Sequence, residues 1–313
     1  MLNLLLYSAA VVIWGCTWLV IKFQLTQVPP VLSVAYRFGL AATILFIFCF
    51  FTNRSLRFSS RQQSYLALYG GLIFCCGYIL CYQASIFLTS GLLAIVFSLI
   101  QAMNIMNLRL FLGRPVRLRA VTGGLIGLCG LCLVFRNEIL SFSLTAGAKG
   151  LLLGIVAAYF SSLGNVAAVK NDTNGVPVAQ ANAFGMAYGA LFTLVVHFLL
   201  GGRLEIDGSI GYLGPLLYLA VFGSVIAFGC YFALVNRIGA DYAAYCATLS
   251  PIIAMFLSWL FEGYVWTLPA LIGMVAVLAG NVIVLTPGKV IKRAYRVAGW
   301  SYAKPLKNTP FVS

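Results

Sequence analysis

The segment "QQSYLALYGGLIFCCGYILCYQASIFLTSGLLAIVFSLIQAMNIMNL", residues 62–108, decides the structural class of this protein because it contains no Asp, Glu, Lys or Arg. One helix that crosses a bilayer needs about 20 apolar residues, so the segment holds two such helices, separated near Thr89-Ser90-Gly91. The whole chain has the same character, since 62% of its 313 residues are hydrophobic and only 8% are charged. Soluble domains have about 25% charged residues. The composition therefore predicts an all-α integral membrane protein.

Polar breaks between the hydrophobic runs predict ten transmembrane helices. The predicted spans are residues 3–21, 31–51, 64–85, 88–108, 118–136, 149–169, 178–200, 212–235, 242–261 and 266–286. If the N-terminus is inside, the inner loops and the C-terminal tail carry fifteen Lys and Arg residues, whereas the outer loops carry four. This bias places both termini in the cytoplasm and requires an even number of spans. We therefore expect a multi-pass protein of the inner (plasma) membrane, whose net charge of +14 reflects orientation in the lipid bilayer and not a nucleic-acid partner.

The two halves of the chain resemble each other at a nearly constant offset of about 150 residues. The matching pairs are Lys22 and Lys170, Pro29 and Pro177, "FLG" at 111–113 and "FEG" at 261–263, Gly123 and Gly273, and Gly130 and Gly280. Each half has five predicted spans, and an odd number forces the second half to enter the membrane upside down. We expect a five-helix repeat at residues 1–147, an inverted five-helix repeat at 148–287 and a basic cytoplasmic tail at 288–313. Inverted repeats are typical of alternating-access transporters, which hold the substrate between the repeats near the midplane.

The chain contains "WGCTWLVIK" at 14–22, "YRFGLAA" at 36–42, "SPIIAMFLSWLFEG" at 250–263 and "GMVAVLAGNVIVL" at 273–285. In these stretches it resembles the drug/metabolite transporter (DMT) superfamily, EamA type, and the resemblance extends over about residues 3–286. The resemblance implies ten helices in two inverted repeats and the export or exchange of small metabolites. It also implies a central cavity lined mainly by helices 1, 3, 4, 6, 8 and 9.

Aromatic and uncharged polar side chains occur in the middle of the spans that such a cavity would use. Polar groups in hydrocarbon need partners, so they face other helices or a cavity, and an interhelical hydrogen bond is the alternative for each. For Trp14, which lies midway along its span, the alternative is a position facing lipid. The predicted substrate-binding residues are Trp14, Tyr78, Tyr82, Gln101, Asn165 and Tyr245. Aromatic walls with neutral amides favour amphipathic solutes such as amino acids.

Three charged residues and one proline are candidates for gating. Arg37 lies seven residues inside span 2 and has no basic counterpart in the second half, where the offset of 148 reaches Gly185. One alternative is structural: the side chain extends to the outer surface or binds neighbouring backbone carbonyls. The other is functional: the side chain forms part of an outer gate or binds an anionic group of the substrate. Lys22 and Glu262, at the outer ends of spans 1 and 9, are predicted gating or structural charges. Pro251 removes one backbone hydrogen bond within span 9 and is either a static kink or a hinge.

The acidic residues, the histidine and the cysteines of this sequence favour transport over catalysis. All six acidic residues lie in loops or at span ends, which favours facilitated exchange or uniport over a carboxylate proton relay. Among these six, Glu262 is the least unfavourable candidate for a proton site. There is one histidine, and the nine cysteines, "CGLC" at 129–132 included, fall in apolar runs. We therefore expect no metal, no cofactor and no enzymatic activity. The predicted function is secondary transport of small organic metabolites; the alternatives are an intramembrane enzyme or a channel-like protein without a recognisable catalytic motif.

Overall fold

A computed structural model of the protein describes residues 2–25, 28–114, 116, 118–136, 146–238, 243 and 245–285. Within that part of the chain all regular structure is helical, which confirms the predicted all-α class. We number the helices α1 Leu2–Phe23, α2 Pro30–Phe51, α3 Ser60–Phe87, α4 Ser90–Leu112, α5 Leu118–Val134, α6 Ala146–Thr173, α7 Val178–Leu199, α8 from Ile210 to Ile238, α9 Tyr245–Phe261 and α10 Leu268–Leu285. Each of the ten predicted spans corresponds to one of these helices. The predicted basic tail at 288–313 lies outside the described residues.

Eight of these helices are long and apolar enough to cross a membrane: α1, α2, α3, α4, α6, α7, α8 and α10. The other two, α5 and α9, are apolar but only 17 residues long in the described part of the chain. Helix α6 has 28 residues and extends beyond both ends of the predicted span 149–169. The hydrophobic pattern therefore predicts where each helix lies, but it does not predict the residues at which the helix begins and ends.

The helix ends explain part of the sequence similarity between the two halves. Gly113 follows α4 with a φ of 65°, and Gly263 follows α9 with a φ of 67°. Such left-handed backbone is easily adopted only by glycine, which is the residue that most often stops a helix in this way. The paired "FLG" and "FEG" stretches are thus the same helix stop at equivalent points of the two halves.

Equivalent helices of the two halves pack against each other in opposite directions. In the crossing of α5 with α10, a Cβ added to Gly123 would lie 2.5 Å from the carbonyl oxygen of Gly280, and one added to Gly130 would lie 2.6 Å from that of Gly273. The residue numbers rise in one helix as they fall in the other, so the two helices are antiparallel. This is the arrangement that an inverted repeat requires. The boundaries of the two repeats stay a prediction.

Two helices contain a π-helical segment that the sequence did not predict. The segments are Gly71–Gly77 in α3 and Tyr218–Ile226 in α8, which are equivalent helices of the two halves. Helix α4 is also interrupted, between Phe97 and Ile100. π-helical turns are rare in proteins, and those that do occur are often found at functional sites. The irregular segments of α3 and α4 contribute residues such as Phe74 and Ser98 to a cavity, and that of α8 ends two residues before the lining residue Phe228.

Candidate functional site

A cavity of about 250 Å³ lies between α1, α3, α4, α6, α8 and α9. These are the six helices that the resemblance implied. The wall is mainly aromatic and aliphatic, with a few neutral polar groups. Its side chains include Trp14, Thr17, Trp18, Tyr78, Cys81, Phe97, Ser98, Gln101, Ser161, Asn165, Phe228, Ala247 and Ser250. Such a wall, apolar with a few placed polar groups, is typical of a site for a small organic molecule.

Tryptophan rings of α1 form one side of the cavity. The ring of Trp14 meets Phe228 edge-on at 5.6 Å between centroids and lies 5.4 Å from Tyr231. One turn further on, Trp18 lies 4.9 Å from Phe97 of α4. Trp14 therefore faces the interior of the bundle, and the alternative that it faces lipid is wrong.

The structure brings four of the six predicted wall residues together: Trp14, Tyr78, Gln101 and Asn165 all line the cavity. The Asn165 amide donates to Asn104 Oδ1 at 3.1 Å, so it combines an interhelical hydrogen bond with its place in the wall. The amide of Asn107, near the C-terminal end of α4, donates to Ser162 Oγ at 2.9 Å. These bonds tie α4 to α6 behind the cavity.

Tyr82 and Tyr245 lie away from the cavity wall. The hydroxyl of Tyr82 is buried and donates to Gln24 Oε1 at 2.7 Å. That of Tyr245 donates to the Val282 carbonyl of α10 at 3.5 Å. Tyr82 shares a helix face with the wall residue Tyr78, but the cavity reaches only part of that face. Tyr245 lies on the other side of α9 from the wall residues Ala247 and Ser250. Their predicted role in substrate binding has no support from their positions.

Arg37 turns into the protein. Only 1% of the residue is exposed. Its Nε donates to Ser224 Oγ at 3.4 Å, its Nη1 donates to Tyr82 at 3.5 Å, and its guanidinium carbon lies 4.9 Å from the centre of the Tyr78 ring. The prediction that it snorkels or clamps carbonyls is wrong, because α3 and α8 cover that face of α2. A role at an outer gate or an anionic group stays a prediction.

Lys22 and Glu262 meet at the ends of α1 and α9. The Glu262 carboxylate accepts hydrogen bonds from the backbone N–H of Ser90, at 2.9 and 3.1 Å, and from its hydroxyl. Lys22 Nζ lies 3.9 Å from the same carboxylate. Glu262 therefore caps the N-terminus of α4, where the helix dipole favours negative charge. This charge cluster joins one helix of the second half to two helices of the first.

Pro251 is buried within α9, and its effect on the backbone is compensated locally. The Ala247 carbonyl has no helical partner because Pro251 lacks a backbone N–H. It accepts a hydrogen bond from Ser250 Oγ at 3.1 Å instead. Ala247 and Ser250 both line the cavity. The irregular turn of α9 thus faces the cavity, and a hinge at Pro251 stays a prediction.

Sequence reasoning missed several residues around the cavity, namely Thr17, Gln24, Ser161, Gly223 and Ser224. Small polar residues in apolar helices were the available signal, but many such residues serve only helix packing. Gln24 was read as part of a loop, although it is fully buried against Tyr82. The three-dimensional arrangement was needed to connect these residues.

The sequence of this protein has known relatives across most of its length. A profile of the EamA-like transporter family matches it twice, over residues 1–136 and over residues 148–286. The chain is 24% identical over 281 residues to protein PagO of Salmonella typhimurium, covering 90% of this chain and 92% of PagO. It is 25% identical to the uncharacterized transporter YoaV of Bacillus subtilis, covering 86% and 91%. It is 27% identical to the uncharacterized inner membrane transporter YedA of Escherichia coli K12, covering 80% and 79%.

The fold also recurs among solved structures. One crystal structure of a protein aligns with 93% of this chain and 98% of its own length, with a TM-score of 0.66 and 17% sequence identity. At this identity the similarity concerns the fold alone.

Proposed function

The chain belongs to the EamA-like transporter family, and on that premise we propose that it is a secondary transporter that moves small organic metabolites by alternating access. As a family member it is a multi-pass membrane protein whose partners are the lipid bilayer and a small-molecule substrate. We place it in the inner membrane with both termini cytoplasmic. The distribution of Lys and Arg between the loops supports this orientation, and the relative YedA is described as an inner membrane transporter.

The observation that carries the proposal is the cavity between helices of both halves. Its wall takes α1, α3 and α4 from the first half and α6, α8 and α9 from the second. A site in this position can open to either side as the halves move against each other, which is how inverted-repeat transporters work. The antiparallel crossing of α5 and α10 supplies a packed contact between the halves away from the site.

The wall supports amino acids or similar amphipathic solutes as the substrate class. The rings of Trp14, Tyr78 and Phe97 present apolar faces, whereas Gln101 and Asn165 offer amide groups for hydrogen bonds. We propose export or exchange as the direction of transport. Purified protein in proteoliposomes, supplied with a panel of radiolabelled amino acids and aromatic metabolites, tests this class. We expect flux of at least one member above protein-free vesicles; flux of none would contradict the class.

We further propose that the Lys22–Glu262–Ser90 cluster closes the outer side. The first-half residue equivalent to Glu262 is Leu112, in the paired "FLG" stretch. A carboxylate therefore bridges α1, α4 and α9 at the outer ends of these helices, whereas the equivalent inner position is apolar. This difference supports an outer gate that depends on charge and an inner gate that does not.

Replacing Glu262 with glutamine is expected to favour opening toward the outside. The substitution removes the ion pair with Lys22 and weakens the cap on α4, which together cost about 1 kcal/mol and correspond to about a fivefold shift in population. Cys81 lines the cavity and serves as a native reporter. Its modification by a membrane-impermeant maleimide, added from outside and followed by peptide mass spectrometry, should become about fivefold faster.

Glu205→Gln is the matched control, because Glu205 is an exposed carboxylate in the loop that precedes α8. We expect it to leave the modification rate of Cys81 unchanged. A rate for Glu262→Gln no higher than that of the wild type would rule out the proposed outer gate.

A further inference from the structure

Arg37 is a fully buried cation. Within the described residues, no Asp or Glu oxygen lies within 4.0 Å of its guanidinium nitrogens. Its hydrogen bonds go to the neutral hydroxyls of Ser224 and Tyr82, at 3.4 and 3.5 Å. A guanidinium carries five N–H donors, and a charge in a low-dielectric interior is costly unless an opposite charge pairs with it. The charge of Arg37 is therefore available to an anion that the described part of the chain does not supply.

This charge lies directly behind the cavity wall. Its guanidinium carbon is 4.9 Å from the ring centre of Tyr78, which lines the cavity. A second approach passes Gly223 of α8. A Cβ added to Gly223 would lie 3.2 Å from Oγ1 of Thr17, another wall residue, and 3.5 Å from Arg37 Nη2. Because glycine has no side chain, residue 223 of α8 places no side chain between Thr17 and the guanidinium.

The cavity offers nothing comparable to a cation. Its described lining residues include no Asp, Glu, Lys or Arg. Arg37 is thus a formal charge that lies directly behind the wall at Tyr78, and it acts through surroundings that screen charge weakly. The electrostatic potential on this side of the cavity favours negative solutes and disfavours positive ones.

We propose that the transported solute is an organic anion whose acidic group is attracted by Arg37, on the side of the cavity formed by Thr17 and Tyr78. This inference rests on the proposed function and narrows its substrate class from amphipathic solutes in general to those with a net negative charge. The aromatic rings of the wall contact the apolar part of the solute. Arg37 acts as a specificity-determining residue.

Three aromatic probes of nearly equal size separate charge from shape: phenylacetate, phenylacetamide and 2-phenylethylammonium. Their binding to the purified wild-type protein in detergent can be measured by ligand-induced thermal stabilisation across a concentration series. We expect phenylacetate to bind at least about tenfold more tightly than the amide and the ammonium compound to bind most weakly. Equal binding of the three probes, or no binding of the anion, would overturn the proposal.

Three variants assign the preference to Arg37. Arg37→Gln should abolish the preference for phenylacetate over the amide, whereas Arg37→Lys should retain part of it. Gly223→Ala leaves Arg37 in place but adds a methyl group between its Nη2 and Thr17, so it should lower the preference severalfold. If Arg37→Gln does not fold, Arg37→Lys and Gly223→Ala still test whether Arg37 causes the preference for the anion. An unchanged preference in Gly223→Ala and Arg37→Lys would then contradict the assignment.

The outcomes also distinguish this inference from the proposed function. Flux of a neutral or zwitterionic solute in proteoliposomes, without any anion preference, would leave the transporter intact and refute the role of Arg37. Absence of flux for the whole solute panel, despite binding of phenylacetate, would instead contradict transport while the anion site stands.

Discussion

Replacing Gly123 with alanine is expected to lower the free energy of unfolding by about 3 kcal/mol, because the methyl group has no room at the crossing of α5 and α10. The added Cβ would lie 2.5 Å from the carbonyl oxygen of Gly280 and 3.0 Å from the backbone nitrogen of Val284. Backbone atoms cannot rotate away as a flexible side chain can, so the two helices have to separate along their length. Equilibrium unfolding in mixed micelles containing SDS measures the change.

Gly127→Ala provides a matched control in the same helix. A Cβ on Gly127 meets nothing within 4 Å in the described residues, and alanine favours the helix over glycine. We expect this variant to be as stable as the wild type or slightly more stable. Similar stabilities of the Gly123 and Gly127 variants would show that α5 and α10 leave room for a methyl group at Gly123.

Replacing Ala247 with tryptophan is expected to reduce solute flux at least about tenfold, because the indole ring would fill much of the cavity. Ala247 is partly exposed and lines the cavity from α9, so the larger side chain has space to enter. The protein should remain folded, as a single symmetric peak in size-exclusion chromatography would show. Initial rates of flux in proteoliposomes measure the effect.

Leu249→Trp is the control for this substitution. Leu249 lies two residues further along α9, is exposed on the outside of the bundle and does not line the cavity. Its variant carries the same added side chain and should transport at close to the wild-type rate. Full activity of Ala247→Trp would mean that the solute does not pass through this cavity.

The number and order of the helices could be predicted because the bilayer imposes a simple rule on the sequence. Long apolar runs such as residues 62–108 have few alternatives in hydrocarbon, where each backbone polar group needs an internal partner. The offset of about 150 residues then relates helices such as α5 and α10, whose paired glycines meet in the structure. The helix ends were less accurate, since the polar residues that stop a helix tolerate several registers.

The direction of individual side chains could not be predicted in the same way. The sequence placed Arg37 seven residues inside span 2, but its burial depends on which face of α2 meets α3 and α8. Tyr78 and Tyr82 share a helix face by spacing, yet only Tyr78 reaches the cavity, because Tyr82 bonds to Gln24 and Arg37. The π-helical segments had no sequence signal at all. These features arise from contacts between helices that are far apart in the sequence.

Countertransport tests the central claim that one solute site alternates between the two sides of the membrane. Proteoliposomes that contain the purified protein are preloaded with an unlabelled solute, and the uptake of the same labelled solute is measured over a concentration series. A carrier of this kind predicts uptake that saturates and that is several times faster with preloading, and Ala247→Trp should abolish both effects. Uptake that rises linearly with concentration and ignores the preloaded solute would contradict alternating access and indicate a channel.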